Sequence, residues 1–199
     1  MDIKPYRLNN SDYRAVAKLH CDYISQGFLA TLGVPFLTLL YEAIDESNES
    51  VLLVERADCN VVGFVTGTSG LKQIYMQLLL KPFRLIYALK SCFLSPSKMY
   101  KIIEVFLTNK DSNSSAHLPK EELLSIVVSP DYQGCGYAEN LFEALCAYFK
   151  EESAKSFKIV VGKDLERAHG FYTKMGSISV EEIQVHKGSD SVVYVKDLS

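Results

Sequence analysis

The sequence predicts a mixed α/β fold, a sheet flanked by helices, and three stretches carry that prediction. The first is the β-branched run Ile126–Val128, which ends at Pro130 and passes through a short loop holding Gln133, Gly134 and Gly136 straight into an amphipathic helix. In that helix Ala138, Leu141, Phe142, Leu145, Cys146 and Phe149 recur at helical spacing, so one face is apolar. The second is the continuing alternation, a short strand over 157–161 and then a helix around Ala168–Gly176. The third is a terminal hairpin, with strands at Ile178–His186 and Ser191–Lys196 turning at 187–190.

Taken in order, Ile3–Leu8 reads as a first strand. The Asn9–Asp12 stretch supplies N-cap chemistry for a helix to about Ile24. A turn at Gly27 leads to a second helix from about Pro35 to Asp45. Val51–Glu55 and Val61–Thr66 are short strands around the polar turn 57–60. Three helical patterns follow, at Leu71–Leu80, Pro82–Phe93 and Pro96–Leu107, with Pro82 and Pro96 placed as first-turn prolines. A polar loop at 109–116 precedes the strand 121–128. The expected organisation is one domain over 1–199 with a helical insertion at about 70–119.

With 199 residues, 48% of them apolar, the chain can bury one sizeable core. Its net charge of −3 argues against a nucleic-acid footprint. The five cysteines (21, 59, 92, 135 and 146) lack Cys-x-x-Cys spacing and read as reduced thiols of a cytoplasmic protein. No leader-like apolar core follows Met1, and no apolar run approaches membrane-spanning length. The histidines at 20, 117, 169 and 186 are scattered, so neither a metal nor a histidine base is expected, and His169 reads as a surface residue.

A strand–loop–helix with two glycines is an anion site, because unpaired N–H groups meet the positive end of a helix dipole. The Walker string is absent, and the dinucleotide fingerprint fails because its third small position falls on Glu139. What fits is Gln133-x-x-Gly136-x-Ala138, followed downstream by Ala168-x-x-x-Tyr172-x-x-x-Gly176 with Phe171 and Lys174. Together these resemble the two motifs of the GNAT family of N-acetyltransferases.

The resemblance implies acetyl-CoA as co-substrate, no metal, and cofactor-strand and successor strand splaying to admit the pantetheine arm. It implies that main-chain groups of Ile126, Val127 and Val128 pair with that arm. Gln133, Gly134, Cys135, Gly136, Tyr137 and Ala138 would hold the pyrophosphate, with Ala168 beside it. Cys135 is expected to lend a backbone N–H rather than a nucleophile. Tyr172 is the candidate general acid for the departing thiolate, against a packing or hydrogen-bonding role only. Glu122 is the chosen base, against a solvated strand-end charge. Phe28 and Leu29 would wall the acceptor pocket, or else belong to the core. Two departures stand out: Leu165 occupies a position that is often Asn in the family, and Ser177 follows Gly176 in place of Phe.

The region around Phe28 and Phe36 resembles acetyltransferases of surface-sugar pathways, which points to a small primary amine, an amino sugar or its nucleotide conjugate. The alternatives are a non-catalytic acyl-CoA-binding module and a peptide or protein N-acetyltransferase. Between Cys59 and Ile103 there are six cations and no acid. They read as a solvated face, a positive lid for an anionic substrate, or a membrane-surface contact. The same insertion could supply a homodimer face.

Overall fold

The structure, a computed structural model, describes residues 7–24, 28–90, 117–186 and 189–199. Helix α1 (Asn10–Tyr23) starts where the side chain of Asn9 accepts from the N–H of Ser11 at 2.8 Å and Asp12 accepts from the N–H of Asn9 at 3.0 Å. That reciprocal box satisfies donors the helix cannot satisfy itself. Most of the expected first strand, residues 3–6, lies outside the described residues, while Arg7 and Leu8 form no strand.

A short 3-10 turn, Leu29–Leu32, leads into α2 (Gly33–Glu46), which buries Phe36, Leu37, Tyr41 and Ile44. Strands β1 (Ser50–Ala57) and β2 (Asn60–Thr68) form a hairpin. Helices α3 (Leu71–Leu79) and α4 (Pro82–Ala88) follow, Pro82 in the first turn as its missing N–H allows. The predicted helix 96–107, the end of the one before it and the loop 109–116 fall outside the described residues. Next come β3 (Glu122–Val128), α5 (Tyr137–Glu151), β4 (Ser156–Gly162), α6 (Glu166–Lys174), β5 (Ile178–His186) and β6 (Ser189–Asp197).

These six strands make one sheet in the order β1-β2-β3-β4-β6-β5. All neighbours are antiparallel except β3 and β4, whose parallel pairing requires the α5 crossover. This is the mixed, mostly antiparallel sheet with a loop and helix after the third described strand. Each face has its own core. One packs α1 to α4 on Leu52, Phe64 and Val127. The other packs α5 and α6 on Val51, Val65, Leu123, Phe157 and Ile159.

Helix α5 buries Leu141, Phe142, Leu145 and Phe149, the stripe its periodicity predicts, with Cys146 half-buried. Each such side chain contributes roughly 1.5–3 kcal/mol on leaving water. It sits close over β2: a Cβ built on Gly67 would lie 2.6 Å from Leu145 Cδ1 and 2.8 Å from Phe149 Cζ.

The insertion is less uncompensated than its sequence suggests. Lys81 Nζ lies 2.6 Å from Glu46 and 2.9 Å from Glu42, and Arg84 meets Glu42 at 2.6 Å. Those acids come from α2, outside the acid-free window. Lys90 rests 4.3 Å from the Tyr87 ring centre. The outer surface of α3 and α4 exposes Leu79, Leu80, Ile86 and Phe83, the last to 87%.

Candidate functional site

Strands β3 and β4 pair only through Glu122 with Lys158 and Leu123 with Ile159, and then diverge. Against β2, Ser125 faces Thr66 but Leu123 faces Gly67, so Leu124 is an extra residue that bends β3 at the point of divergence. Between the strands lies a cavity of about 610 Å³, walled by Leu124–Val128 on one side and Val160–Gly162 on the other. On their β4 side, residues 124–128 have no ladder partner. An open row of N–H and C=O groups of this kind can take an extended ligand as a strand.

The cavity ends on the loop. After a 3-10 turn at Pro130–Tyr132, Gly134 and Gly136 adopt φ of +76° and +86°, values that disfavour any side chain. A Cβ on either would meet nothing within 4 Å, so the glycines face open space. Gly136 caps α5 with no side-chain hydrogen bond, and the first helical backbone bond is Asn140 N–H to Gly136 O at 2.9 Å. The N–H groups of Tyr137, Ala138 and Glu139 precede it. Uncapped donors at the start of a fifteen-residue helix fit a phosphate group. Gln133 is turned elsewhere, its Nε2 donating to Val128 O at 3.1 Å and fixing the end of β3.

Gln133, Gly134, Ala138, Ile126, Val127, Val128, Ala168 and Tyr172 all lie in the cavity wall. Cys135, Gly136 and Tyr137 belong to the same loop and helix start but are not part of that wall. Cys135 is exposed, and Tyr137 packs edge-on against Tyr132 at 6.0 Å. Glu139, also in the wall, meets Lys174 at 2.8 Å, which holds its carboxyl below the usual carboxylate range.

Tyr172 projects from α6 among the rings of Phe142, Phe171 and Tyr194 and is 5% exposed. Burial pushes its phenol well above the ordinary range, so it stays protonated. Among the described residues no hydrogen bond holds its hydroxyl, which leaves that proton available to a ligand in the cleft.

His169 is not the surface residue expected. Its Nδ1 lies 3.0 Å from the Tyr194 hydroxyl, and its Nε2 lies 3.1 Å from Gly162 O and 3.2 Å from Lys163 O. Carbonyls only accept, so Nε2 carries the proton and Nδ1 accepts from Tyr194. The ring thus pins α6 to the end of β4, which a surface position could not do.

Three expected residues stand apart from the cavity wall. Glu122 precedes the divergence, with Lys158 Nζ at 3.6 Å. Burial raises its pKa while Lys158 pulls it down. Phe28 and Leu29 pack half-buried against the α1–α4 core. The cavity is instead reached by Tyr23 and Ile24 from the end of α1, by Ser125, and by Arg167 and Leu165 from the start of α6. Sequence reasoning missed Tyr23, Ile24, Ser125 and Arg167. Arg167 had a signal, its place next to Ala168 in the second motif, whereas the α1 end had none.

Among the described residues no group of three or more His, Cys, Asp or Glu side chains could hold a metal ion. No described helix is long and apolar enough to cross a membrane.

A model of the acetyltransferase (GNAT) family matches residues 17–177. Among solved structures, an N-acetyltransferase from Staphylococcus aureus Mu50 superposes with TM-score 0.62 at 15% identity, covering 98% of this chain and 97% of that one. The ribosomal-protein-S18-alanine N-acetyltransferase from Escherichia coli gives 0.58 at 12% identity, covering 98% and 92%. The PaiA N-acetyltransferase from Thermoplasma acidophilum, in complex with coenzyme A, gives 0.59 at 13%, covering 96% of each. No curated protein sequence matches the chain. At such identities the structural likeness speaks for the fold, and the family model spans both motifs and the strands that part around the cleft. The chain belongs to the GNAT family of acetyltransferases, which take the acetyl group from acetyl-CoA.

Proposed function

We propose that this chain transfers an acetyl group to the primary amine of a small molecule, directly, with both substrates bound at once. One observation carries the reading: a cleft between parted strands that runs from an uncapped, glycine-flanked helix start to a buried tyrosine whose hydroxyl has no hydrogen bond among the described residues. Acetyl-CoA, when bound, supplies an activated thioester.

The chain's own groups do the rest. N–H groups of the Gly134–Ala138 stretch hold the pyrophosphate, with Gln133, its own N–H taken by Pro130 O, bracing the loop, and Ala168 is small enough to let it approach. Main-chain groups of Ile126, Val127 and Val128 receive the pantetheine, and one N–H polarises the thioester oxygen. Leu165 contributes an apolar contact where the family often has an amide side chain. Tyr172 donates its proton to the sulfur. With an ordinary phenol near ~10 and a thiol near ~8.5, that donation is uphill, and burial makes it more so, so the proton moves only as negative charge develops. Glu122 receives a proton from the acceptor through solvent, with Phe28 and Leu29 behind the acceptor pocket.

The preferred acceptor is an amino sugar. The resemblance near Phe28 and the basic insertion support it, though Lys81 and Arg84 already have partners. A protein N-terminus is the second reading, since one structural neighbour is named for ribosomal protein S18. The unit is taken as a single catalytic domain, cytoplasmic, carrying an insertion at about 70–119. Free thiol release from acetyl-CoA, measured with glucosamine, benzylamine, spermidine and an alanine-headed peptide, tests all of this. Tight CoA binding with no turnover on any amine would leave a binding module instead.

A further inference from the structure

We infer that Ser125 is the residue that receives the acceptor amine, its hydroxyl fixed by Tyr41 and Thr66 so that one oxygen lone pair faces the cleft. The inference rests on the acetyltransferase reading and adds to it where the acceptor sits and what kind of acceptor fits.

Ser125 lies in the cavity wall next to the bulged Leu124. Its Oγ is 2.7 Å from Thr66 Oγ1 and neighbours the Tyr41 hydroxyl, which is 2.6 Å from His20 Nδ1. Tyr41 and Thr66 are buried to 1% and 0% exposure and His20 to 6%, so water cannot substitute for these partners. A four-membered chain of side chains from α1, α2, β2 and β3 thus converges on one hydroxyl of the cleft.

Its direction follows from proton counting. His20 is neutral, because burial lowers its pKa to about 4. A phenol is a far better donor than a neutral imidazole, so Tyr41 donates to Nδ1 across the short 2.6 Å contact. The Tyr41 oxygen, its single proton used, is left as an acceptor toward Ser125. The Ser125 proton is then used as well, and Thr66 donates to the Ser125 oxygen. A hydroxyl oxygen has two lone pairs. One takes the Thr66 proton and the other remains for the cavity, so the exposed group is an acceptor held still, suited to an amine or ammonium N–H.

The surroundings limit the carrier of that amine. Ile24, Leu124 and the ring of Tyr23 line the cavity wall, and the one carboxylate of that wall among the described residues, Glu139, stands at the loop end and is paired with Lys174. Among the described residues of the wall, a second cation on the acceptor would meet no free carboxylate. Ser125 and Tyr172 also belong to opposite sides of the sheet, since Ser125 neighbours Tyr41 of α2 and Tyr172 packs in the α5–α6 core. Amine and departing sulfur are therefore attended from different faces. The acceptor class is a carrier with one amino group, and a polyamine is disfavoured.

The test is steady-state kinetics of the full chain and of Ser125→Ala, Ser125→Thr and Tyr41→Phe on the amine panel above. Losing a hydrogen bond to a charged group, ~1.5–3 kcal/mol, should raise the amine KM about tenfold or more in Ser125→Ala. The acetyl-CoA KM should stay where it is, Ser125→Thr should restore the amine KM, and Tyr41→Phe should raise it less. Spermidine should be the poorest acceptor of the wild-type protein. An unchanged amine KM in Ser125→Ala, or an acetyl-CoA KM that moves in parallel, overturns the assignment while leaving the enzyme reading intact. Should Ser125→Ala not fold, the same split of the two KM values in Tyr41→Phe decides. If the wild-type protein binds CoA but turns over no amine, the enzyme reading fails and takes this one with it.

Discussion

Lowering the pH from 7.5 to 5 should weaken the fold through His20 alone by a measurable amount. The ring is 6% exposed and its Nδ1 accepts from Tyr41, so protonating it would strand a charge in the core and break that bond. Burial lowers its folded pKa to about 4. The unfolded chain keeps the ordinary value near ~6.5. Between the two, the unfolded state binds a proton that the folded state refuses, so stability is intact above about 6.5 and drains away as the pH falls toward 4. Integrating that difference gives a loss on the order of 2 kcal/mol at pH 5. Carboxylates titrate nearby, so the assay is urea unfolding of wild type and His20→Asn at pH 7.5, 6 and 5. Asn keeps an acceptor near Nδ1 without a titrating group, and the shared carboxylates cancel in the difference. A wild-type-minus-variant difference that does not change between pH 7.5 and 5 would refute the reasoning.

Three other outcomes follow. Gly136→Ala, forced to a φ of +86° with its Cβ in the space the ligand needs, should cost about 1–2 kcal/mol of stability. Titration calorimetry should show its CoA affinity falling more than tenfold (about 1.4 kcal/mol). Tyr172→Phe should leave the melting temperature nearly unchanged, since no hydrogen bond among the described residues is lost, while kcat falls by roughly 10²-fold or more if the hydroxyl is the acid. Full kcat in that variant removes the acid role. Gly67→Ala drives a Cβ to within 2.6 Å of Leu145 and 2.8 Å of Phe149, so chemical unfolding should show a loss of about 1–3 kcal/mol.

What the sequence displayed was local. The α5 stripe, the glycines of the loop and the second motif all follow from spacing within one element, and the structure places Ala138, Ala168 and Tyr172 in one wall. What it hid depends on distant contacts. The bulge at Leu124 exists only relative to β2, so strand alternation could not reveal that Ser125 turns toward α2. His169 looked like a solvated residue of α6 because its three partners lie on β4, the following turn and β6. The charge of the insertion was misjudged for the same reason, since Glu46 lies 35 residues before Lys81 and Glu42 lies 42 before Arg84. Tyr23 and Ile24 reach the cleft from about a hundred residues upstream of the strand they face.

The junction of β3 and β4 bears on how long the protein lasts. Only two residue pairs join the two halves of the sheet there, so the centre, not the rim, has the fewest backbone bonds to lose. Openings that expose both cores should start at that seam and should reach a protease before global unfolding does. A molecule threaded through the seam closes it, and at a hundredfold excess over its Kd it adds about 2.7 kcal/mol against opening. If acetyl-CoA occupies the seam as proposed, the chain should resist proteolysis longer where its acetyl donor is plentiful.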